Sequence, residues 1–222
     1  RKRRMSIRQK QVAARKGQIL DTADALVRQT GNADFSMRVL ADQAGVSLAT
    51  PYNLFGSKEA LLYELLARAI NHLIASVPVD NSDDPIEQVV QAAERAANII
   101  LADPELLRPL YQFLLGVPDV MSRPQLMKTS LKFWRSTLNE AVDAGILRDD
   151  ADCTTLAFSL MAHFIGFLEL WVHSDIGDRE FAARVVHGFV HQLWPLAHGK
   201  HLKQLKKRLA QAKQNLDRVL SR

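Results

Sequence analysis

The stretch that decides the fold runs from Ser36 to Glu59 and reads SMRVLADQAGVSLATPYNLFGSKE. Its spacing predicts two short helices, 37–44 and 48–55, with Gly45 in the turn between them. Two helices joined by a short turn that contains glycine match the helix-turn-helix unit, which places its second helix in a DNA groove. The stretch therefore indicates a DNA-binding protein. The alternative is an ordinary helical hairpin with a solvated polar face.

Three serines mark the starts of the helices in this stretch. Ser36 is expected to cap the first short helix through its hydroxyl, Ser47 the second and Ser57 a longer third helix. A hydroxyl in this position accepts a hydrogen bond from a backbone N–H that has no partner within the helix. The caps support helix starts at 37, 48 and 57.

The second short helix combines one small residue with several polar ones. Ala49 is small, whereas Thr50, Tyr52 and Asn53 carry hydrogen-bonding groups. Pro51 lies in the first turn, where it stiffens the start of the helix. Small and polar residues at a helix start suit contact with base edges and phosphates.

A larger motif surrounds the two helices. At fixed spacing the chain carries Gly31, Phe35-Ser36, Leu40-Ala41, Ala44-Gly45-Val46-Ser47, Ala49-Thr50, Tyr52, Phe55 and Ser57-Lys58-Glu59, preceded by Ile19-Leu20, Ala23 and Leu26. Over residues 15–66 this pattern resembles the DNA-binding domain of the TetR family of bacterial repressors.

The resemblance implies which residues contact DNA. Thr50, Tyr52 and Lys58 would touch DNA, and Ala49 would let the helix approach the groove. Lys58 also adds its charge to a helix N-terminus, a combination that suits a phosphate. The candidate DNA contacts are Ser36, Arg38, Ser47, Leu48, Ala49, Thr50, Tyr52, Asn53 and Lys58.

Two positions depart from the family pattern. Pro51 replaces the usual aliphatic residue. Leu54 stands where the family often has a phosphate-binding histidine, so Asn53 is the candidate substitute.

Charge is concentrated at the two ends of the chain. The net charge of the 222 residues is +5, yet residues 1–16 carry eight basic and no acidic side chains, and residues 200–222 carry eight basic and one acidic. Residues 17–199 therefore hold 13 basic and 23 acidic side chains. Beside a DNA-binding motif, the basic N-terminus is expected to contact nucleic acid, and a solubilising tail is the alternative.

Composition also bounds the compartment and the class of protein. No run of 18 uncharged apolar residues appears, so no membrane span is expected. The basic N-terminus lacks the apolar stretch of a signal peptide. A lone Cys153 excludes an internal disulfide and fits a reducing cytoplasm. The sequence predicts a cytoplasmic protein.

Helical spacing continues along the rest of the chain, and no alternating strand pattern appears. Asp84 and Asp103 each precede a proline and read as further helix caps. The fold class is all-α, with helices predicted at 8–30, 37–44, 48–55, 57–76, 85–102, 104–116, 120–144, 150–173 and 178–198. The predicted domains are 1–56, a basic arm with the helix-turn-helix; 57–198, a regulatory and dimerisation domain with the linking helix 57–76; and 199–222, a basic helical tail.

The tail at 199–222 repeats leucine and alanine at a spacing of three and four residues, with lysine and arginine between them. Packing of this helix on the body is expected. A short coiled coil, an added DNA contact and contact with an anionic membrane surface are the alternatives.

Helices 150–173 and 178–198 are apolar nearly all round, which requires burial on several sides. Burial within a single subunit is one solution, and a dimer interface is the other. In the resembled family the last two main helices pair with their symmetry mates as a four-helix bundle. The candidate interface residues are Leu160, Phe167, Trp171, Val186, Phe189, Val190 and Trp194.

Bulky aromatic residues in the C-terminal region suggest where a ligand would bind. The resemblance implies a pocket between the linking helix and the C-terminal helices, and a hydrophobic or aromatic molecule would suit such a site. For any single residue the alternative is ordinary core. The candidates are Tyr111, Phe113, Phe133, Trp134, His163, Phe164 and Phe167.

Metal and enzyme chemistry find little support in the sequence. His187 and His191 lie four residues apart and could share a metal, but no third ligand accompanies them. Cys153 has no activating partner that the sequence identifies. The prediction is no metal, no cofactor and no enzymatic activity.

These observations predict a homodimeric, sequence-specific transcriptional regulator. It would be a repressor that a hydrophobic or aromatic small molecule releases from palindromic double-stranded DNA. One alternative is a helix-turn-helix dimer that a protein partner controls without a small-molecule effector. Another is an enzyme with an appended DNA-binding domain.

Overall fold

A computed structural model describes residues 6–76 and 84–221. The basic arm at Arg1–Arg4 lies outside the described residues, as do residues 77–83. Within the described part the chain is all-helical, as predicted. Its ten α-helices are α1 (Ile7–Thr30), α2 (Met37–Gln43), α3 (Ala49–Phe55), α4 (Lys58–Ser76), α5 (Pro85–Leu101), α6 (Pro104–Gly116), α7 (Ser122–Asp143), α8 (Cys153–Val172), α9 (Asp178–Leu193) and α10 (His201–Leu220).

The predicted helix ends agree with these bounds to within three residues, except at the end of α9. That helix stops at Leu193 rather than 198, and Trp194–Leu196 form a short 3-10 turn. Pro195 explains the stop, because proline has no N–H with which to continue the helix. At the start of α8, Asp152 accepts hydrogen bonds from the N–H groups of Thr154 and Thr155, which moves the helix start from 150 to Cys153.

The first compact unit comprises the residues up to His72 together with Asp103–Arg123. It therefore holds α1 to α3, most of α4, and α6, which packs on α1. The predicted boundary at 56 differs, because the start of α4 belongs to the same core. That core is aliphatic and fully buried at Ile19, Leu40, Leu61, Leu62, Leu65, Leu66, Leu106, Leu107 and Leu110.

The second compact unit comprises Leu73–Ala102 and the residues from Pro124 onward. Its centre is α9, which packs against α5, α8 and α10. The predicted tail at 199–222 is not separate. On α10, Leu205, Ala212 and Leu216 are buried, and Arg208 pairs with Glu87 and Glu94 of α5. Its apolar stripe therefore faces the body of the second unit.

The predicted helix caps have different outcomes. Ser36 accepts from the Val39 N–H at 3.2 Å, and Ser57 accepts from the Ala60 N–H at 3.0 Å, as expected. The prediction for Ser47 is wrong, because α3 begins after Leu48 without a side-chain cap. Asp103 precedes α6 as predicted, but both of its carboxylate oxygens bind Arg28.

Among the described residues, α8 is long and apolar enough to cross a membrane by length and composition. Glu169 interrupts the apolar run, which is why the criterion of 18 uncharged residues missed this helix. This observation is weak by itself, since a core helix of a soluble protein passes the same test.

Candidate nucleic-acid interface

Helices α2 and α3 form a compact helix-turn-helix. Gly45 adopts a φ of +63°, a left-handed conformation that glycine reaches without a Cβ penalty. The Val46 N–H then donates to the Ala41 carbonyl at 3.0 Å, which closes the turn after α2. This local bonding sets the direction in which α3 leaves the turn.

Pro51 anchors α3 in the core of the first unit. It is the third residue of the helix and the only one of α3 that is buried. An N–H in the first turn has no partner within the helix, so proline loses no helical hydrogen bond here. The proline that replaces the family's usual aliphatic residue thus keeps the same apolar contact with the core.

The opposite face of α3 is free. Leu48, Ala49, Tyr52 and Asn53 are exposed, and the Tyr52 side chain is 46% accessible. The Thr50 hydroxyl is half-buried and lies 2.9 Å from the Ser47 hydroxyl. Among the other candidates, Ser36 and Arg38 are exposed at the start of α2. Most of the predicted contacts are therefore exposed on the helix-turn-helix.

Lys58 is placed differently from the other candidates. Its Nζ lies 4.5 Å from the centre of the Phe113 ring, 5.1 Å from that of Phe35 and 3.4 Å from Asp34 Oδ1. Only 16% of the side chain is accessible. A lysine held over two aromatic rings gains cation–π attraction and is withdrawn from solvent. In the free chain this side chain packs at the start of α4, and its phosphate contact stays a prediction.

Side chains of α1 brace the helix-turn-helix in ways that sequence analysis missed. Lys16 Nζ pairs with Glu64 at 2.8 Å and lies 4.8 Å from the centre of the Phe55 ring at the end of α3. Gln18 Nε2 donates to the Ala44 carbonyl at 2.9 Å, at the end of α2. Each partner lies more than 25 residues away, so no local pattern signals these contacts.

A second brace joins α1 to α6. Arg28 donates to the two carboxylate oxygens of Asp103 at 2.8 and 2.6 Å. The hydrogen bond from Arg28 holds the pKa of Asp103 below its usual value, against the opposing effect of burial. Bidentate pairs of this kind fix geometry as well as charge. The DNA-reading helices and α6 are thus held in one unit.

Comparison with known proteins agrees with this geometry. The family model described as bacterial regulatory proteins, tetR family, matches residues 19–65, from α1 through the helix-turn-helix into α4. The chain belongs to the TetR family. It is a helix-turn-helix DNA-binding transcriptional repressor and a non-enzymatic regulator.

Curated relatives extend the similarity beyond the DNA-binding segment. The HTH-type transcriptional repressor KstR2 of Mycobacterium tuberculosis is 29% identical over 147 residues, which cover 64% of this chain and 74% of that protein. The HTH-type nicotine-responsive transcriptional repressor HdnoR of Paenarthrobacter nicotinovorans is 31% identical over 107 residues, 46% of this chain and 53% of that one. A solved TetR regulator from Haloarcula marismortui shares the fold with a TM-score of 0.65 at 17% identity, covering 84% of this chain and all of that one.

The seven candidate ligand residues of this TetR-family repressor are divided between the two compact units. Tyr111 and Phe113 belong to the first unit, where burial raises the pKa of the Tyr111 hydroxyl and Phe113 packs against Lys58. In the second unit, Trp134 lies 5.0 Å from Phe133 and 6.1 Å from Phe164, ring centre to ring centre. Trp134 is buried and packed against rings, as in an aromatic core.

His163 connects α8 to α9. Its Nε2 lies 3.3 Å from the Arg184 carbonyl, and its ring lies 4.9 Å from that of Phe167 in an edge-on arrangement. Burial lowers the pKa of this histidine, which favours the neutral ring.

A cleft of about 820 Å³ lies elsewhere, among α5, α9 and α10, and none of the predicted aromatic residues lines it.

Some of the candidate dimer residues are buried within the chain, and the others are partly accessible. Leu160, Trp171, Phe189 and Val190 are buried within the single chain, so they offer no surface to a second copy. Phe167, Val186 and Trp194 remain partly accessible. Helical spacing shows that a residue lies on an apolar face, but it does not show which partner covers that face.

Two exposed side chains on α8 escaped the sequence analysis. Phe158 is 60% accessible and Leu170 is 39% accessible. Both lie in the apolar sequence of α8, and their exposure depends on how this helix is rotated about its axis.

His187 and His191, the two candidate metal ligands, stack with their ring centres 6.1 Å apart. No group of three potential metal ligands occurs among the described residues.

Proposed function

We propose that this repressor acts as a homodimer on a palindromic operator and that a small molecule releases it. The observation that carries the proposal is the open face of α3, where Leu48, Ala49, Tyr52 and Asn53 are exposed while Pro51 holds the helix from behind. The recognition helix of a helix-turn-helix lies in the major groove with its N-terminal residues on base edges. The basic residues of the chain's N-terminus would add phosphate contacts, and the protein would act in the cytoplasm.

Dimerisation is supported by the surface of α8. Phe158 and Leu170 are exposed large apolar residues, and Ala162 and Gly166 are exposed small ones. An apolar helical face with small residues suits close packing against an identical helix, and a two-fold interface presents the same patch on both copies. A dimer in turn explains a palindrome, because each copy reads one half-site.

Release by a small molecule is supported by the relatives. HdnoR is named as nicotine-responsive, and it shares 31% identity with this chain over 107 residues. An effector lowers operator affinity when it binds more tightly to a conformation whose two α3 helices are wrongly spaced for the operator. We propose that α4 transmits this conformational change, because the chain passes along α4 from the helix-turn-helix into the second unit.

The test is selection of DNA from a random-sequence pool with purified protein at physiological salt. Recovery of a palindrome with half-sites about one helical turn apart supports the dimeric repressor. Binding without sequence preference and with a steep salt dependence would mean that only the basic ends engage DNA, and the proposal would be withdrawn. An operator whose affinity does not change in a screen of hydrophobic and aromatic compounds would favour control by a protein partner.

A further inference from the structure

The cleft among α5, α9 and α10 has the dimensions of a small-molecule site. Its volume is about 820 Å³, and its walls are mostly apolar. Small side chains form its apolar surface, namely Ala182, Ala183, Val186, Ala212 and Val219. Pockets for small molecules typically measure about 300 to 1,000 Å³, with a few polar groups that orient the ligand.

Three of the six charged residues that line the cleft take part in ion pairs. Glu94 binds Arg208 at 2.8 Å, and the same guanidinium binds Glu87 at 3.0 Å. Glu180 binds Arg184 at 2.7 Å. These contacts neutralise Glu94 and Glu180, which would otherwise repel an anion. The third lining carboxylate, Asp178, accepts a hydrogen bond from Trp171 Nε1 at 2.8 Å.

Two lining arginines stand outside this pairing. Among the residues that the structure describes, neither Arg179 on α9 nor Arg218 on α10 takes part in an ion pair. Both are exposed and both line the cleft. The amides of Asn98 and Asn215 add hydrogen-bonding groups. The cleft thus combines apolar walls with two unpaired positive charges.

We infer that this cleft binds an amphipathic anion, a molecule with one carboxylate-like or phosphate-like group and an aliphatic or flat apolar body. Arg179 and Arg218 bind the anionic group, since a guanidinium donates several hydrogen bonds in a planar fork. The apolar body lies along the small residues of α9 and α10. That such a ligand is the effector of the repressor rests on the proposed function; the existence of the site does not.

The experiment is isothermal titration of the full chain with decanoate and with decyltrimethylammonium, two probes of similar chain length and opposite charge. We expect saturable binding of decanoate, at least about tenfold tighter than that of the cation. The double substitution Arg179→Gln with Arg218→Gln should weaken decanoate by about tenfold or more. Lys203→Gln with Lys206→Gln, which removes the same charge from exposed positions of α10 outside the cleft, should leave binding unchanged.

A third variant, Ala183→Leu, places bulk in the cleft and should weaken both probes. The inference is overturned if the wild-type chain binds neither probe saturably, if the cation binds as well as decanoate, or if the Arg179/Arg218 variant binds decanoate like the lysine control. Operator affinity is measured separately on the same proteins. If decanoate does not bind but the operator is still bound, only this inference is rejected. If decanoate binds in the cleft without changing the affinity for the operator, the cleft does not control DNA binding.

Discussion

Gly188 on α9 faces the imidazole of His163 on α8 so closely that a Cβ at position 188 would lie 2.0 Å from His163 Cε1. The two helices pack at this point because one of them has no side chain. The close approach also lets His163 Nε2 reach the Arg184 carbonyl at 3.3 Å. A glycine in the middle of a helix, ordinarily a weakness, here sets the distance between α8 and α9.

Replacing Gly188 by alanine should therefore destabilise the second unit. Overpacking of a filled interior typically costs about 1 to 3 kcal/mol, which exceeds the gain of about 1 kcal/mol that alanine brings to an exposed helix. Urea unfolding monitored by circular dichroism measures the change. Gly17→Ala is the matched control, because nothing lies within 4 Å of a Cβ at Gly17 in α1, and it should leave stability equal or higher. Equal stability of the Gly188 variant and the wild type would contradict the packing argument.

Substitution of Lys58 by methionine should separate two roles that the residue could have. The structure places Nζ over Phe35 and Phe113, so the variant should lose about 1 kcal/mol of stability through the lost cation–π contacts. The slope of log affinity against log salt should stay unchanged in operator titrations. A lysine that neutralised a phosphate would instead reduce that slope by about 0.9. Arg38→Met, at an exposed position of α2, is the comparison in which we expect the smaller slope.

The pair of Arg28 and Asp103 should make stability depend on pH. Because the pKa of Asp103 is lowered in the folded chain, the pair contributes stability above the ordinary aspartate pKa of about 3.9. That contribution is lost as the pH falls through the lower folded value. We expect Asp103→Asn to be less stable than the wild type at pH 7, by about 1 kcal/mol, and the difference to shrink below pH 4. A difference that is the same at pH 7 and at pH 3 would show that the ion pair is not its source.

Substitutions on the open face of α3 should affect DNA binding and leave folding unchanged. Tyr52→Ala should weaken binding to every sequence, whereas Thr50→Ala should change the preferred bases, each by about 1 to 3 kcal/mol. Gel-shift titrations against the selected operator and single-base variants measure both effects. Gln29→Ala, exposed on α1, is the control and should bind like the wild type. A Tyr52 variant with wild-type affinity would place the recognition surface elsewhere.

Phe158→Asp should dissociate the proposed dimer. The side chain is 60% accessible in the single chain, so a charge there leaves the subunit folded but buries an unpaired carboxylate in a two-fold interface. Sedimentation equilibrium reports the mass. Val120→Asp, at an apolar position that is 85% accessible, serves as the control and should keep the wild-type mass. A Phe158 variant with the wild-type dimer mass would show that the interface lies on another surface.

Sequence reasoning predicted the parts of this protein that depend on neighbouring residues. Ser36 and Ser57 cap helices through hydrogen bonds that span three residues, and Gly45 supplies the left-handed turn between α2 and α3. The family motif is a set of such local features at fixed spacing, so the helix-turn-helix and its open face followed from it. Ser47 is the local exception, since its hydroxyl lies beside that of Thr50 while Leu48 occupies the cap position.

By itself the sequence determined the helices, the turn that sets α3, and the family of repressors to which the chain belongs. Tertiary structure decided what each helix faces. Arg28 and Asp103 lie 75 positions apart, and Trp171 is buried by its own subunit although its spacing equally suited a dimer interface. The cleft among α5, α9 and α10 exists only once these helices pack. Helix formation depends on hydrogen bonds between near neighbours, whereas burial and ion pairing depend on distant residues that only the folded chain brings together.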